Sequence, residues 1–142
     1  MKCKRIFKDE LHVWMRDEEL FRRDHMNVGS LLSGDRIYCC DEVIAGMTEG
    51  KFVGVATIAP RGEKNYGQPT IVALYVHPDH RRQGYGKTIM KAAVRRCVKR
   101  GFKKVRVDVM SGWALRAINS LPENLREVLE VNYQGDFMDC HS

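Results

Sequence analysis

The chain has 142 residues, 44% of them hydrophobic and 30% charged, with a net charge of +6. That is enough for one domain with its own core, and no apolar run reaches the roughly 18–20 residues that would span a bilayer. Five cysteines, an odd number with no C-x-x-C pair, argue against a disulfide framework or a structural zinc site.

The N-terminus, MKCKRIFKDELHVW, is charged and has no apolar segment of the signal-peptide kind. A cytoplasmic chain is expected, forming a single domain over 1–142, with reduced thiols at the adjacent Cys39 and Cys40 and at Cys140 beside His141. Residues 9–23 predict a helix with Leu11, Trp14, Met15 and Phe21 loosely on one side and acids in its first turn. Val28–Leu32 predicts a short second helix, broken by Gly34 and Asp35.

A hairpin follows, 43–48 and 51–59, about Glu49-Gly50. Residues 60–69, bounded by two prolines, predict a loop. TIVALYV, 70–76, is almost wholly apolar and predicts a strand buried on both faces. From about Gln83 to Arg100 a helix is expected, with Met90, Ala93, Val94, Cys97 and Val98 as its buried stripe. Lys91, Arg95, Arg96, Lys99 and Arg100 fall opposite, as a solvated face, and Gly101 ends the helix. KKVRVDV, 103–109, alternates as a strand with one buried face. The tail predicts helices over 113–120 and 122–130 and a last strand over 131–138. A strand, helix and strand joined in this way make a right-handed parallel crossover. The antiparallel hairpin before it makes the whole an α/β fold of α+β type, with a mixed, mostly antiparallel central sheet flanked by helices.

The glycines after the buried strand discriminate among three phosphate loops. A dinucleotide fingerprint, G-x-G-x-x-G, fails at its third glycine, which is Ile89. A Walker loop, G-x-x-x-x-G-K-[ST], fails at its first, which is Arg81. The third is V-x-P-x-x-R-x-x-G-x-G, which here reads Val76-His77-Pro78-Asp79-His80-Arg81-Arg82-Gln83-Gly84-Tyr85-Gly86. With the hairpin before it and the helix and alternating strand after it, the stretch 43–114 resembles the GCN5-related N-acetyltransferases (GNAT).

The resemblance implies direct transfer of an acetyl group from acetyl-CoA to a primary amine, either a small amine or a protein lysine or N-terminus. An acetyltransferase-like module that binds coenzyme A or a protein without turnover is the alternative. It implies that the amides of Gln83, Gly84, Tyr85, Gly86, Lys87 and Thr88 hold the pyrophosphate at a helix N-terminus, with Arg81, Arg82 and Lys87 adding charge. It implies that Leu74-Tyr75-Val76 pairs with the pantetheine arm, and that an N–H near Val76 polarises the thioester carbonyl.

The family often carries the thiol-side acid as a tyrosine in N-x-x-A-x-x-x-Y. Here those positions are Ser111, Ala114 and Ile118, so the tyrosine is missing. Tyr133, the next tyrosine downstream, is a candidate acid, with Asn119 close to the family's site. Tyr75, Glu42, Glu49 and Glu63 are candidates for the base. The resemblance implies that residues 9–34 and the 60–69 loop shape the acceptor side, and the acids of the first (Asp9, Glu10, Asp17, Glu18, Glu19, Asp24) suit a cationic acceptor. His77 and His80 are expected to face solvent. Residues 81–104 hold ten Lys or Arg and no acid, but no aromatic interleaving supports nucleic acid. The short tail leaves room for a homodimer in which a partner completes the sheet or the site.

Overall fold

The computed structural model describes residues 1–32, 42–59, 69–109 and 112–133. Among the described residues six strands join one sheet whose spatial order follows the chain: β1 Lys2–Ile6, β2 Glu42–Thr48, β3 Lys51–Ala59, β4 Thr70–Val76, β5 Val105–Val109 and β6 Leu129–Tyr133. The first four are antiparallel neighbours, and β4, β5 and β6 run parallel. This is the mixed, mostly antiparallel sheet expected.

β1 was not expected, and the reason is compositional. Only Ile6 of its five residues is buried and Cys3 is half-buried, so alternation is nearly absent. The strand exists because Lys2–Ile6 pairs residue by residue with Val43–Met47. Its Lys2, Lys4 and Arg5 lie on the edge strand, where charge discourages pairing with other chains. The hairpin is as expected. Glu49 (φ 51°) and Gly50 (φ 78°) both adopt left-handed backbone, as the two-residue turn that suits strand twist requires.

The helix expected over 9–23 is divided. α1, Lys8–Asp17, buries Leu11, Trp14 and Met15 on one stripe. Glu19 then turns left-handed (φ 53°) and starts α2, Leu20–Arg23, followed by α3, His25–Leu32. The break turns Leu20 into the core and leaves Phe21 half exposed, which corrects the apolar side read from the sequence. Gly34, Asp35, residues 60–68, Glu63, Ser111 and residues 134–138 lie outside the described residues, as do Cys39, Cys40 and Cys140.

After β4 a short 3-10 turn, Pro78–His80, leads to α4, Tyr85–Lys99, which buries Ile89, Met90, Ala93, Val94 and Cys97. Val98 is largely exposed; Ile89 takes its place in the stripe. α5, Gly112–Asn119, and α6, Glu123–Arg126, complete the crossover to β6. The expected helix over 122–130 stops early because Leu129–Tyr133 pairs with Val105–Val109 along its whole length. None of the helices among the described residues is long and apolar enough to cross a membrane.

The sheet separates two cores. On one face Ile6, Val43, Ala45, Val55 and Tyr75 meet Leu11, Trp14, Met15, Leu20 and Val28 of α1–α3. On the other Ile44, Ala56, Ile58, Ile71, Val105 and Val107 meet α4, α5 and α6. α4 lies close because Gly46 and Gly54 leave room for Ile89. A Cβ on Gly46 would stand 2.8 Å from Ile89 Cγ1, and one on Gly54 2.7 Å from the Tyr75 carbonyl oxygen and 2.8 Å from Ile89 Cδ1.

The far end of α4 is tied by charge. Glu42, only 4% exposed, accepts from Arg96 Nε (3.1 Å) and Nη2 (2.9 Å) and from Arg100 Nη1 (3.1 Å), with Arg5 Nε at 3.7 Å. Arg96 and Arg100 are therefore turned onto Glu42 rather than standing as free surface charges. Glu42, a sequence candidate for the base, is instead held as a carboxylate. Burial pushes its pKa up, but the guanidiniums outweigh that and hold it below the ordinary value.

Two predictions follow from this packing. Gly54→Val should cost about 1–3 kcal/mol by overpacking, read as a lower Tm. Glu42→Gln should lose about 1–3 kcal/mol near neutrality. A depressed folded-state pKa stabilises above the unfolded value of 4.5 and is lost as pH falls through the folded one. The gap between wild type and Glu42→Gln in denaturant unfolding should therefore close as pH drops below 4.5.

Candidate active site

β4 and β5 touch only at their beginnings. Thr70 pairs with Arg106 and Ile71 with Val107, and the strands then part. The parting coincides with a bulge: the β3–β4 register passes from Thr57↔Ala73 to Ile58↔Ile71, skipping Val72. One inserted residue reverses which backbone groups face which neighbour. Beyond it the His77 N–H donates to the Val53 carbonyl at 2.8 Å, so alternation points the backbone groups of Leu74 and Val76 away from β3. They face the gap that β5 has left.

At the end of that gap stands the α4 N-terminus. Arg82 (φ 65°) and Gly84 (φ 80°) adopt left-handed backbone before the helix. Glycine takes this conformation readily, whereas arginine does so at a cost of about 1–3 kcal/mol. The first bond of the helix is Thr88 N–H to the Gly84 carbonyl, 3.4 Å. Among the described residues the N–H groups of Tyr85, Gly86 and Lys87 have no such partner, as at any helix start. α4 has no acid in its first turn, and Arg82, Gln83, Lys87 and Thr88 are exposed. Outward amides, a helix dipole and uncompensated cations make a site for a polyanion.

Arg81, read from the sequence as a further charge for that anion, is turned elsewhere. Its Nε donates to the Val76 carbonyl at 3.0 Å and its Nη2 to Asp24 Oδ2 at 2.6 Å. Asp24, between α2 and α3, also accepts from the Tyr75 hydroxyl (2.7 Å) and from Asn27 Nδ2 (2.9 Å). Burial alone would raise the Asp24 carboxyl, but these donors, Tyr75 foremost, hold it below its ordinary value. Tyr75 feels the reverse. Burial, then the hydrogen bond and charge of Asp24, push its phenol well above 10.0. A phenol that holds its proton so tightly is a poor base near neutrality.

His77 corrects the expectation of a solvent-facing ring: it is 3% exposed. The Asp79 N–H donates to its Nδ1 at 3.0 Å, so a neutral ring carries its proton on Nε2, 3.2 Å from Glu18 Oε2. Arg23 Nη2 donates to Asp79 Oδ1 at 2.7 Å. Glu18, Arg23 and Asp24 thus meet the β4–α4 loop through two adjoining side-chain clusters. The sequence had offered Glu18 and Asp24 only as members of an acidic segment, and Arg23 not at all. No local pattern marks a contact between residues more than fifty positions apart.

The remaining catalytic candidates are scattered. Glu49 sits exposed in the hairpin turn. Asn119, at the end of α5, is exposed. Ile118 is 3% exposed in the α4–α6 core, so the place of the absent tyrosine is filled by packing. Tyr133 ends β6 opposite Val109, at the end of the parallel strands where Val76 also lies.

A family model described as the acetyltransferase (GNAT) family matches residues 5–121. Solved structures resemble the chain at low identity. One is an aminoglycoside acetyltransferase, meta-AAC0020, from an uncultured soil metagenomic sample, in complex with sisomicin: TM-score 0.56, 23% identity, 84% of this chain and 85% of that one. A ribosomal-protein-alanine N-acetyltransferase from Brucella melitensis biovar Abortus 2308 gives 0.51 and 18%, over 75% and 77%. The aminoglycoside N-acetyltransferase AAC(6')-Iy in complex with CoA gives 0.50 and 18%, over 77% and 79%. At these identities the likeness concerns the fold. No curated protein sequence matches the chain.

The raised phenol pKa stabilises the fold below 10.0, and that contribution is lost as pH rises through the folded value. A difference absorbance titration of wild type against Tyr75→Phe should therefore show one tyrosine ionising well above 10.0. An ordinary midpoint would show that the Asp24 contact is not held in solution.

Proposed function

The chain belongs to the acetyltransferase (GNAT) family, and from that membership we propose how its residues divide the work. The enzyme is an acyl-CoA-dependent N-acetyltransferase that takes its acetyl group from acetyl-CoA. One observation carries the assignment of the site: β4 and β5 part after two residue pairs, and the gap ends at a helix N-terminus with unpaired amides.

The parts present suit the cosubstrate. The amides of Tyr85, Gly86 and Lys87, with Arg82 and Lys87 nearby, would hold the pyrophosphate. Gly84, around whose missing Cβ there is open space, would let the anion approach. Leu74 and the N–H of Val76, whose carbonyl already accepts from Arg81, would offer backbone groups to the amide-bearing pantetheine arm, as an added strand does. The Val76 N–H would polarise the thioester carbonyl. Arg81 is assigned here to bracing rather than to phosphate binding.

In the transfer a neutral amine attacks the carbonyl carbon, the C–S bond breaks and coenzyme A departs as thiolate. The nitrogen loses one proton and the thiolate gains one. Tyr133 is the proposed donor to the thiolate. Tyr75 is not assigned the base. It holds Asp24 in place, and deprotonation of the amine is assigned to water, aided by exposed carboxylates of the α1–α3 side. The acceptor is a cationic primary amine, on a small molecule or a protein. Its support is the acids at the end of α1, exposed Asp17 and Glu19 and part-exposed Glu18, and the printed activities of the aminoglycoside and ribosomal-protein-alanine acetyltransferases of like fold. A homodimer and a cytoplasmic location belong to the same proposal.

Acetyl-CoA should raise the Tm of wild type, by the equivalent of about 2.7 kcal/mol at a hundredfold excess over Kd. Gly84→Glu, which sets an anion in the cradle at a left-handed position, should abolish the shift. Thiol release with a panel of aminoglycosides, polyamines and an alanine-terminated peptide should identify the acceptor class. No Tm shift at millimolar acetyl-CoA would overturn the site assignment.

A further inference from the structure

Two side-chain clusters join the loop between β4 and α4 to the C-terminal end of α1 and to α2 and α3. In the first, Asp24 takes Arg81 Nη2 at 2.6 Å, the Tyr75 hydroxyl at 2.7 Å and Asn27 Nδ2 at 2.9 Å. In the second, Arg23 Nη2 reaches Asp79 Oδ1 at 2.7 Å, and His77 Nε2 stands 3.2 Å from Glu18 Oε2. Among the described residues no backbone hydrogen bond links residues 18–27 to residues 77–88. The connection is therefore entirely side chain, and its most buried members are His77, 3% exposed, and Asp24, 13% exposed.

Arg81 is the hinge of the arrangement. Its backbone immediately precedes the left-handed Arg82 and the Gly84 cap. Its guanidinium bridges the Val76 carbonyl, on the β4 edge that faces the gap, and the Asp24 carboxylate. It also lies over the Tyr75 ring, 5.6 Å from the centroid. An anion on the α4 amides fixes the loop, and the loop carries both Arg81 and Asp79. Fixing it holds the two cations and two carboxylates that grip α2.

We propose that Asp24 and Arg81 are positioning residues that couple occupancy of the acetyl-CoA loop to the rigidity of residues 18–27, on the side where the acceptor enters. This rests on the assignment of the cradle to acetyl-CoA and of the α1–α3 side to the acceptor. The coupling is reciprocal, as any linkage between two sites must be. An acceptor that stiffens α2 and α3 tightens acetyl-CoA in turn. Discrimination between donors and acceptors then passes chiefly through the Arg81–Asp24 contact, with Arg23–Asp79 beside it.

Hydrogen exchange followed by mass spectrometry tests this with acetyl-CoA alone as the probe. In wild type, saturating acetyl-CoA should slow exchange in 82–88 and, by roughly fivefold or more, in 18–27. Asp24→Asn and Arg81→Lys should keep the first effect and lose the second. Tyr75→Phe, which leaves the Arg81 contact in place, should keep both. If 82–88 is not protected, the cradle assignment itself fails. If 82–88 is protected and 18–27 is not, or if both Asp24→Asn and Arg81→Lys still transmit protection, the coupling is wrong. Should Asp24→Asn fail to fold, Arg81→Lys reads the same contact from the other side.

Discussion

Everything proposed for this protein depends on β4 and β5 parting company. A parallel ladder of two residue pairs is a weak seam, and the bulge at Val72 ensures that it goes no further. Extending the ladder by two or three residues would satisfy the backbone groups of Leu74 and the Val76 N–H and close the gap. The sheet therefore forgoes hydrogen bonds at its middle, where β4 is otherwise buried, and in the proposed site these groups serve the cosubstrate. The losses are offset on either side. β3 pairs with β4 on both sides of the bulge, and β6 pairs with β5 along its full length.

The two sides of the sheet solve different problems. On the α4 side the requirement is closeness, met by glycines under Ile89 at one end of the helix and by three arginines around Glu42 at the other. On the α1–α3 side the requirement is attachment of short helices that bury few residues each. Apolar packing by Leu11, Met15, Leu20 and Val28 supplies most of it. Charged hydrogen bonds at Asp24 and Asp79, stronger than neutral ones, fix where those helices end.

Much of this could be read from the sequence because the relevant signals are local. The apolar run of β4, the Glu49-Gly50 turn, the alternation of β5 and the glycines before α4 each announce themselves within ten residues. What escaped was non-local. β1 is a strand only because β2 lies beside it. The division of the first helix turns on a single left-handed glutamate. The fate of the basic residues was decided by distant partners: Arg81 by Asp24, Arg96 and Arg100 by Glu42, while Arg82 and Lys87 keep their outward position. Spacing located Ile118 at the place of an absent tyrosine, but only the fold reveals that this place is core.

The separation of the two cores by one sheet has an evolutionary consequence. Residues 43, 45, 55 and 75 look one way and residues 44, 56, 58 and 71 the other, so a substitution in α1 or α3 leaves the packing of α4 undisturbed. A lineage can rework one half by drift while the other half stays as it is. On the proposed division of the site, acceptor preferences can then change in α1–α3 without disturbing the donor side. The exceptions are the contacts that cross between the halves, Asp24 with Arg81, Arg23 with Asp79 and Glu18 with His77, where change on one side must be answered on the other.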